Sequence, residues 1–265
     1  MEATRTQTPA VIAHRGASQE APEHTLAAYR TAIDSGADAL ECDIRLTADG
    51  HLVCVHDRRV NRTSNGKGAV SRLELAELAA LDFGSWKPTA AEDEAPEWER
   101  TSVLTLERLL QLVAEAPRRV ELAIETKHPT RWAGQVEERL VALLREYGLD
   151  RPPAGEAPAV RVMSFSARSL QRVRERLPQV PTVYLTQFLL PRYRDGSLPP
   201  GVRIAGPGLR IVRSSPEYVA RLHRAGHQVH VWTVDEPEDV ELCARLGVDA
   251  IITNRPRQVL AQLGR

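Results

Sequence analysis

The stretch AVIAHRGASQEAPEHTLAAYRTAIDSGADALECDI, residues 10–44, decides how the rest of the chain is read. It opens on an apolar run, AVIA (10–13), takes up helical spacing over 25–35, meets Gly36, and closes on DALECDI (38–44). A strand, an amphipathic helix with glycine just past its end, and a second strand make one β–α–β unit. The alternation continues along the chain. Further strands are expected at 52–56, 120–125, 160–163, 182–186, 202–205, 228–233 and 248–253, and further helices at 73–81, 105–116, 132–147, 166–176, 216–225 and 237–245. Gly148, Gly226 and Gly247 follow three of these helices, where a left-handed residue is wanted. Alternation of this kind implies parallel strands with crossover helices. With 265 residues and this many repeats, a closed (β/α)8 TIM barrel is favoured over an open sheet.

Two irregularities distort that barrel. Nine strand candidates compete for eight places, so one is an extra. Asp43 and His56 are also joined by too few residues for a helix. Residues 44–51 reach roughly 27 Å when extended, enough to run back beside a short strand, and the barrel then lacks one outer helix. Residues 57–104 interrupt the alternation with a polar run (NRTSNGKG), one helix and an acidic, proline-containing patch. They read as a small insertion after the third strand, too short to bury a core of their own. The expectation is a single TIM-barrel domain over 1–265, with an insertion at about 57–104.

Composition narrows the function. There are 35 basic and 35 acidic residues, which removes any general electrostatic case for nucleic-acid binding. Only Lys67, Lys87 and Lys127 are lysines, against 32 arginines, which makes Lys127 a pointed choice. No apolar run reaches 18 residues, so no membrane span is expected. The N-terminus lacks a signal-like apolar segment. Cys42, Cys54 and Cys243 form no CxxC pair and read as buried free thiols. A cytoplasmic protein is expected.

In such a barrel the C-terminal strand ends form the active face. His14 and Arg15 end the first strand, Glu41 and Asp43 lie near the end of the second, His56 and Asp57 close the third, and Glu125 and Lys127 close the fourth. Thr233 and Asn254 end the last two. Glu41 and Asp43, two apart on a strand, point to one face. Three carboxylates converging from apolar strands repel unless a cation neutralises them, and hard oxygen ligands favour Mg²⁺, Ca²⁺ or Mn²⁺ over zinc. The alternative is pairing with some of the many arginines. His14 and His56 titrate near neutrality and together can divide base and acid roles, although either alone reads as a packed core histidine. Arg15 and Lys127 flank the carboxylates and are placed to stabilise a negatively charged transition state. A cation, two histidines and two fixed positive charges suit a phosphate diester.

The run AHRGASQEAPEHTLAAYRTAIDSGADALECDIRLTADGHLVCVHD resembles the signature of the glycerophosphodiester phosphodiesterases. NRTSNGKGAV, LTLERLL, LAIETK, MSF, HVWTVD and IITNRP follow in the same order, so the resemblance covers about residues 10–258. It implies a distorted barrel with a small insertion after the HD block, His14 and His56 as acid and base, and a divalent metal on Glu41, Asp43 and Glu125. It also implies phosphate contacts from Arg15 and Lys127 and a glycerol pocket lined by Trp232. The implied reaction yields glycerol 3-phosphate and an alcohol, by way of a cyclic phosphate in a related mechanism. One departure stands out: the family usually reads P-E-N-T where this chain has Pro22-Glu23-His24-Thr25. The simpler reading is that these residues shape the loop and cap the first helix. The sharper one is that His24 alters the pocket. Two other functions compete: a lysophospholipase D with an apolar rim from residues 57–104 or from Phe188, Leu189 and Leu190, and a non-catalytic phosphodiester-binding barrel.

Overall fold

In the computed structural model, which describes residues 8–88, 95–130 and 134–265, nine strands form one sheet. They are β1 (Ala10–His14), β2 (Ala39–Leu46), β3 (Leu52–Cys54), β4 (Glu121–Thr126), β5 (Val160–Ser164), β6 (Thr182–Thr186), β7 (Ile204–Pro207), β8 (Gln228–Val231) and β9 (Ala250–Thr253). Eight of them pair in parallel, and β1 joins both β9 and β2, so the sheet closes into a barrel. The helices are α1 (Leu26–Asp34), α2 (Leu75–Ala79), α3 (Glu97–Thr101), α4 (Leu106–Ala114), α5 (Gln135–Glu146), α6 (Ala167–Arg176), α7 (Leu209–Ser214), α8 (Glu217–Arg224), α9 (Pro237–Leu246) and α10 (Pro256–Gln262). Gly36, Gly148, Gly226 and Gly247 all take positive φ, as the helix-end reading requires. The first residues of the helical stretch expected at 132–147 lie outside the described residues.

The extra strand is β3, and it is no stave of the barrel. It runs antiparallel to the end of β2, with Ile44 opposite Cys54 and Leu46 opposite Leu52. The chain therefore does not return by plain extended segment. Residues 47–51 make a tight turn in which Thr47 N–H donates to the carbonyl of His51 and Gly50 takes φ +86°. The outer helix expected to be missing here is present. After the insertion, α4 buries Leu106, Leu109, Leu110 and Leu112 before β4 begins, and the Thr105 side chain caps it. Among the described residues the crossover without an α-helix is the one from β6 to β7, which carries only a short 3-10 turn, Pro191–Tyr193.

Strand alternation sorts the core into two layers. One side packs beneath the helices, with Cys42, Ile44, Leu122, Ile124, Val160 and Val162 among its members. The other fills the barrel lumen with Ile12, Ala39, Ala123, Met163, Val183, Ile204, Ala250 and Ile252. Within the insertion Val60, Val70, Leu78 and Phe83 pack on Val53 and Val55 of the hairpin arm. The insertion thus borrows apolar surface from the β2–β3 hairpin, consistent with its small size. All three cysteines are buried and free. No helix among the described residues is long and apolar enough to cross a membrane.

Candidate active site

The two halves of the HRG sequence after β1 do different work. Gly16 must be glycine: it has φ +83°, and a Cβ there would lie 2.7 Å from the backbone of Ala28 in α1. Arg15 is itself left-handed, with φ 60°, and its N–H donates to Glu41 Oε2 at 3.0 Å. A bulky residue in that region is uncommon and costs about 1–3 kcal/mol, which the surrounding contacts must offset. The result aims the Arg15 side chain across the barrel mouth, with Nε 2.9 Å from Asp43 Oδ2 and Nη1 3.0 Å from Glu23 Oε1.

Glu41, Asp43 and Glu125 point into the barrel at its C-terminal mouth, with exposures of 1%, 0% and 6%. Adjacent β2 and β4 hold Asp43 directly beside Glu125. One ligand atom from each of the three residues lies within 4.8 Å of the others. The Lys127 ammonium sits between two of them, 2.9 Å from Asp43 Oδ1 and 2.8 Å from Glu125 Oε1. Burial and the neighbouring charge of Asp43 push the Glu125 carboxyl up to about 8 and Glu41 well above its ordinary range. Burial also opposes ionisation of Asp43, yet Lys127, the His24 hydrogen bond and Arg15 outweigh it and hold that carboxyl well below the usual range. Two cations therefore concentrate on one carboxylate and leave Glu41 undercompensated. That donor set fits a hard divalent cation: three buried oxygen ligands, with negative charge the protein alone does not neutralise.

The two histidines are each held through Nδ1. His14 Nδ1 lies 2.7 Å from Asn254 Oδ1. The amide orientation follows from its other contact: Asn254 Nδ2 donates to Asp235 Oδ2 at 2.7 Å, and a carboxylate only accepts. Oδ1 therefore faces the ring, Nδ1 carries the proton, and Nε2 is left with a free lone pair, 3.9 Å from Glu41 Oε2. Burial and the Arg15 charge lower the His14 pKa to about 4. His56 follows β3 and so reaches the mouth from the hairpin, not from a barrel strand. Its Nδ1 donates to Asp57 Oδ1 at 2.7 Å, which again leaves Nε2 presented. Burial, Lys127 and Arg15 lower its pKa against the upward pull of Asp43 and Asp57.

The structure thus brings His14, Arg15, Glu41, Asp43, Glu125 and Lys127 into one cluster. Trp232 stands on the same mouth, its indole N–H donating to the Gly206 carbonyl at 2.7 Å and its ring edge-on to Phe165 at 5.4 Å. The sequence places Asn254 at a strand end without this role, and it gives no sign of Arg62 or Lys87. Asn254 orients His14 directly. Arg62 bridges Asp57, at 2.7 Å, to both carboxylate oxygens of Glu23, at 2.7 and 2.8 Å, and so ties the His56 side of the mouth to Arg15. The insertion contributes Lys87, which donates to the Ser18 carbonyl.

His24 fits neither reading of the departure in full. Thr25 caps α1, accepting from Ala28 N–H at 3.2 Å. His24 has φ 61°, a conformation asparagine adopts readily, which gives a backbone reason for the usual residue there. Its ring is buried, with Nε2 donating to Asp43 Oδ2 at 3.0 Å and Nδ1 2.8 Å from the Tyr29 hydroxyl. It braces the carboxylate cluster from beneath.

A closed parallel barrel with buried acids and two poised imidazoles at its C-terminal mouth defines a barrel enzyme. A profile of the Glycerophosphoryl diester phosphodiesterase family matches residues 14–258. A Mycobacterium tuberculosis protein named probable glycerophosphodiester phosphodiesterase 1 is 44% identical over 261 residues, spanning 96% of this chain and 92% of that protein. The glycerophosphodiester phosphodiesterase of Bacillus subtilis is 34% identical, over 92% of this chain and 83% of its own length. A crystal structure of the Agrobacterium tumefaciens glycerophosphodiester phosphodiesterase superposes with a TM-score of 0.75 at 26% identity, covering 96% of this chain and 99% of that one. The chain belongs to the glycerophosphoryl diester phosphodiesterase family.

Proposed function

We propose that this protein is a single-domain enzyme hydrolysing small glycerophosphodiesters, such as glycerophosphocholine or glycerophosphoethanolamine, to glycerol 3-phosphate and an alcohol. The observation that carries the reading is the buried cluster of Glu41, Asp43 and Glu125 beside two histidines that both present Nε2. Those three carboxylates would hold Mg²⁺, Ca²⁺ or Mn²⁺, which when bound supplies polarisation of the phosphoryl oxygens.

The protein groups have separable tasks. His14, neutral at physiological pH and fixed in the tautomer with Nε2 free, accepts the proton of the attacking hydroxyl, whether from water or from the glycerol part of the substrate. To act as the acid His56 must take up a second proton at Nε2, which Asp57 at Nδ1 favours against the downward pull of burial, and it gives that proton to the oxygen leaving phosphorus. The P–O bond to the alcohol breaks as the new P–O bond forms. Water attack gives glycerol 3-phosphate at once, whereas attack by the glycerol hydroxyl gives a cyclic phosphate that a water then opens, its proton going to one imidazole and the ring oxygen being protonated by the other. Arg15 and Lys127 exchange part of their hold on Asp43 for the phosphoryl oxygens, and Trp232 walls the glycerol side.

The test is release of glycerol 3-phosphate from the two diesters by chelated protein, with each of the three metals restored in turn. Turnover with at least one metal is expected. No turnover of any diester with any metal contradicts the reading.

A second reading, a lysophospholipase D acting on acylated substrates, is favoured by Phe165, Phe188 and Leu190, exposed on loops that follow β5 and β6 at this same mouth. A preference in kcat/KM for the acylated diester over its deacylated partner selects that reading, and the reverse preference selects the first.

A further inference from the structure

The opposite, N-terminal mouth of the barrel opens into a cavity of about 1290 Å³. Its base lies between the strands. Arg161 and His230 alternate with Val160, Val162, Val229 and Val231, which pack outward beneath the helices, so both polar side chains turn inward to the lumen. A barrel interior is ordinarily filled by bulky branched residues. Here the lumen residues on the cavity include Ile204 with the small Ala10 and Ala250, and the space beside them remains open.

Some of the polar groups around that space lack partners. His230 is 2% exposed, and among the described residues its Nδ1 has no hydrogen-bond partner. A buried polar atom left in that state costs about 1–3 kcal/mol, and because Nδ1 is itself sealed from solvent the ring must turn toward the cavity for a ligand to meet it. Arg174 donates through Nη2 to the Pro200 carbonyl, yet its buried Nη1 is likewise without a partner among the described residues. Charge points the same way. Arg161, Arg174, Arg203 and Arg245 line the cavity, against two acids. One acid, Glu121, pairs with Arg161, and the other, Asp249, is held by His223 Nε2 at 3.0 Å and by the Val229 N–H. Arg245 leans outward to Glu241 at 3.4 Å. Arg174, half-buried, and Arg203, exposed at the rim, have no carboxylate partner among the described residues. A net positive cavity in a chain of zero formal charge is a local arrangement, not a bias of the whole surface.

We infer that this N-terminal cavity is a second, non-catalytic binding site for a small phosphate monoester or free phosphate, seated between Arg161, Arg174 and Arg203 with His230 at its floor. Guanidinium forks match the paired oxygens of phosphate, and a buried imidazole can serve a further oxygen as donor. The inference does not depend on the chemistry assigned to the C-terminal mouth.

The experiment is calorimetric titration of the chelated full-length protein with inorganic phosphate and, separately, glycerol 3-phosphate, against sodium chloride at matched ionic strength. Saturable binding is expected and should weaken at least about tenfold in Arg203→Ser and in Arg161→Met, the latter chosen because a methionine fills the same buried volume. Lys127→Met weakens any phosphoryl binding at the other mouth, so the saturable site that remains in Lys127→Met and in His14→Ala, with unchanged affinity, is this cavity. Binding of both ligands assigns phosphate itself as the recognised group, and binding of glycerol 3-phosphate alone assigns the monoester. If neither ligand binds saturably, or if binding survives in Arg203→Ser and Arg161→Met but disappears in Lys127→Met, the inference is wrong. Circular dichroism of each variant separates loss of the site from loss of the fold.

Discussion

At the C-terminal mouth, Glu41, Asp43 and Glu125 crowd against Arg15 and Lys127. At the N-terminal mouth, Arg161, Arg174 and Arg203 surround a cavity with few carboxylates. The same staves supply both ends: β4 offers Glu121 at one and Glu125 at the other. The difference lies in how the polar groups are held. Above, each histidine is fixed through Nδ1 by a side chain that is itself anchored, Asn254 by Asp235 and Asp57 by Arg62. Below, His230 Nδ1 and Arg174 Nη1 are without partners among the described residues. Preorganisation of this sort is what acid–base chemistry requires, because a misplaced imidazole loses the geometry of proton transfer. A binding pocket can instead leave donors open for its ligand.

The contrast breaks most visibly by substitution. His14→Ala and His56→Ala should each lower kcat/KM by roughly 10²- to 10⁴-fold. Arg203→Ser, at the other mouth, should leave steady-state turnover of glycerophosphocholine unchanged. Equal losses at both ends would erase the distinction. Next in size is Asn254→Leu, which removes the group that selects the His14 tautomer while the residue itself remains. A drop of up to about 10²-fold is expected, carried by kcat rather than KM, and a shift in the KM alone would argue against an orienting role.

A smaller effect concerns acid stability. Burial and the Arg161 charge hold the His230 pKa well below 6.5, so the native state keeps this ring neutral. The unfolded chain takes up the proton below its ordinary 6.5, and stability that is present above that value is lost as pH falls beneath it. The contribution reaches about 1.4 kcal/mol per pH unit over that range. Urea unfolding of His230→Leu between pH 7 and 5 should therefore show a shallower decline than the parent. Parallel declines would mean that His230 is not the buried neutral group described. Smallest is His24→Asn, which restores the residue usual in the family and suits the left-handed backbone. Metal affinity measured by calorimetry should change by less than about tenfold. A much larger loss would promote His24 from brace to essential partner of Asp43.

Much of this site is legible in the sequence because it is carried by local spacing. The two-residue interval of Glu41 and Asp43 places both on one face, and the alternation of strands and helices places them at the mouth. The hairpin was legible too: Asp49-Gly50 between apolar residues is a turn signal, and Thr47 Oγ1 caps that turn by accepting from His51 N–H. β3 resembles a barrel strand in its apolar run, and only its antiparallel pairing with β2 sets it apart. The bracing contacts were not legible for a different reason. Asn254 meets His14 across 240 residues and Arg62 meets Glu23 across 39, and no periodicity encodes such pairings. The placement of Lys127 between two carboxylates likewise depends on the β2–β4 register, which only the closed barrel fixes.

The central claim is that Glu41, Asp43 and Glu125 hold a divalent cation on which diester hydrolysis depends. Its most direct test is the rate of glycerol 3-phosphate release from glycerophosphocholine by chelated parent protein, titrated with Mg²⁺, Ca²⁺ or Mn²⁺ beside Glu41→Ala. Saturable activation of the parent is predicted, with Glu41→Ala folded but unresponsive over the same range. Full turnover in the continued presence of chelator, or identical activation curves for parent and Glu41→Ala, would contradict it.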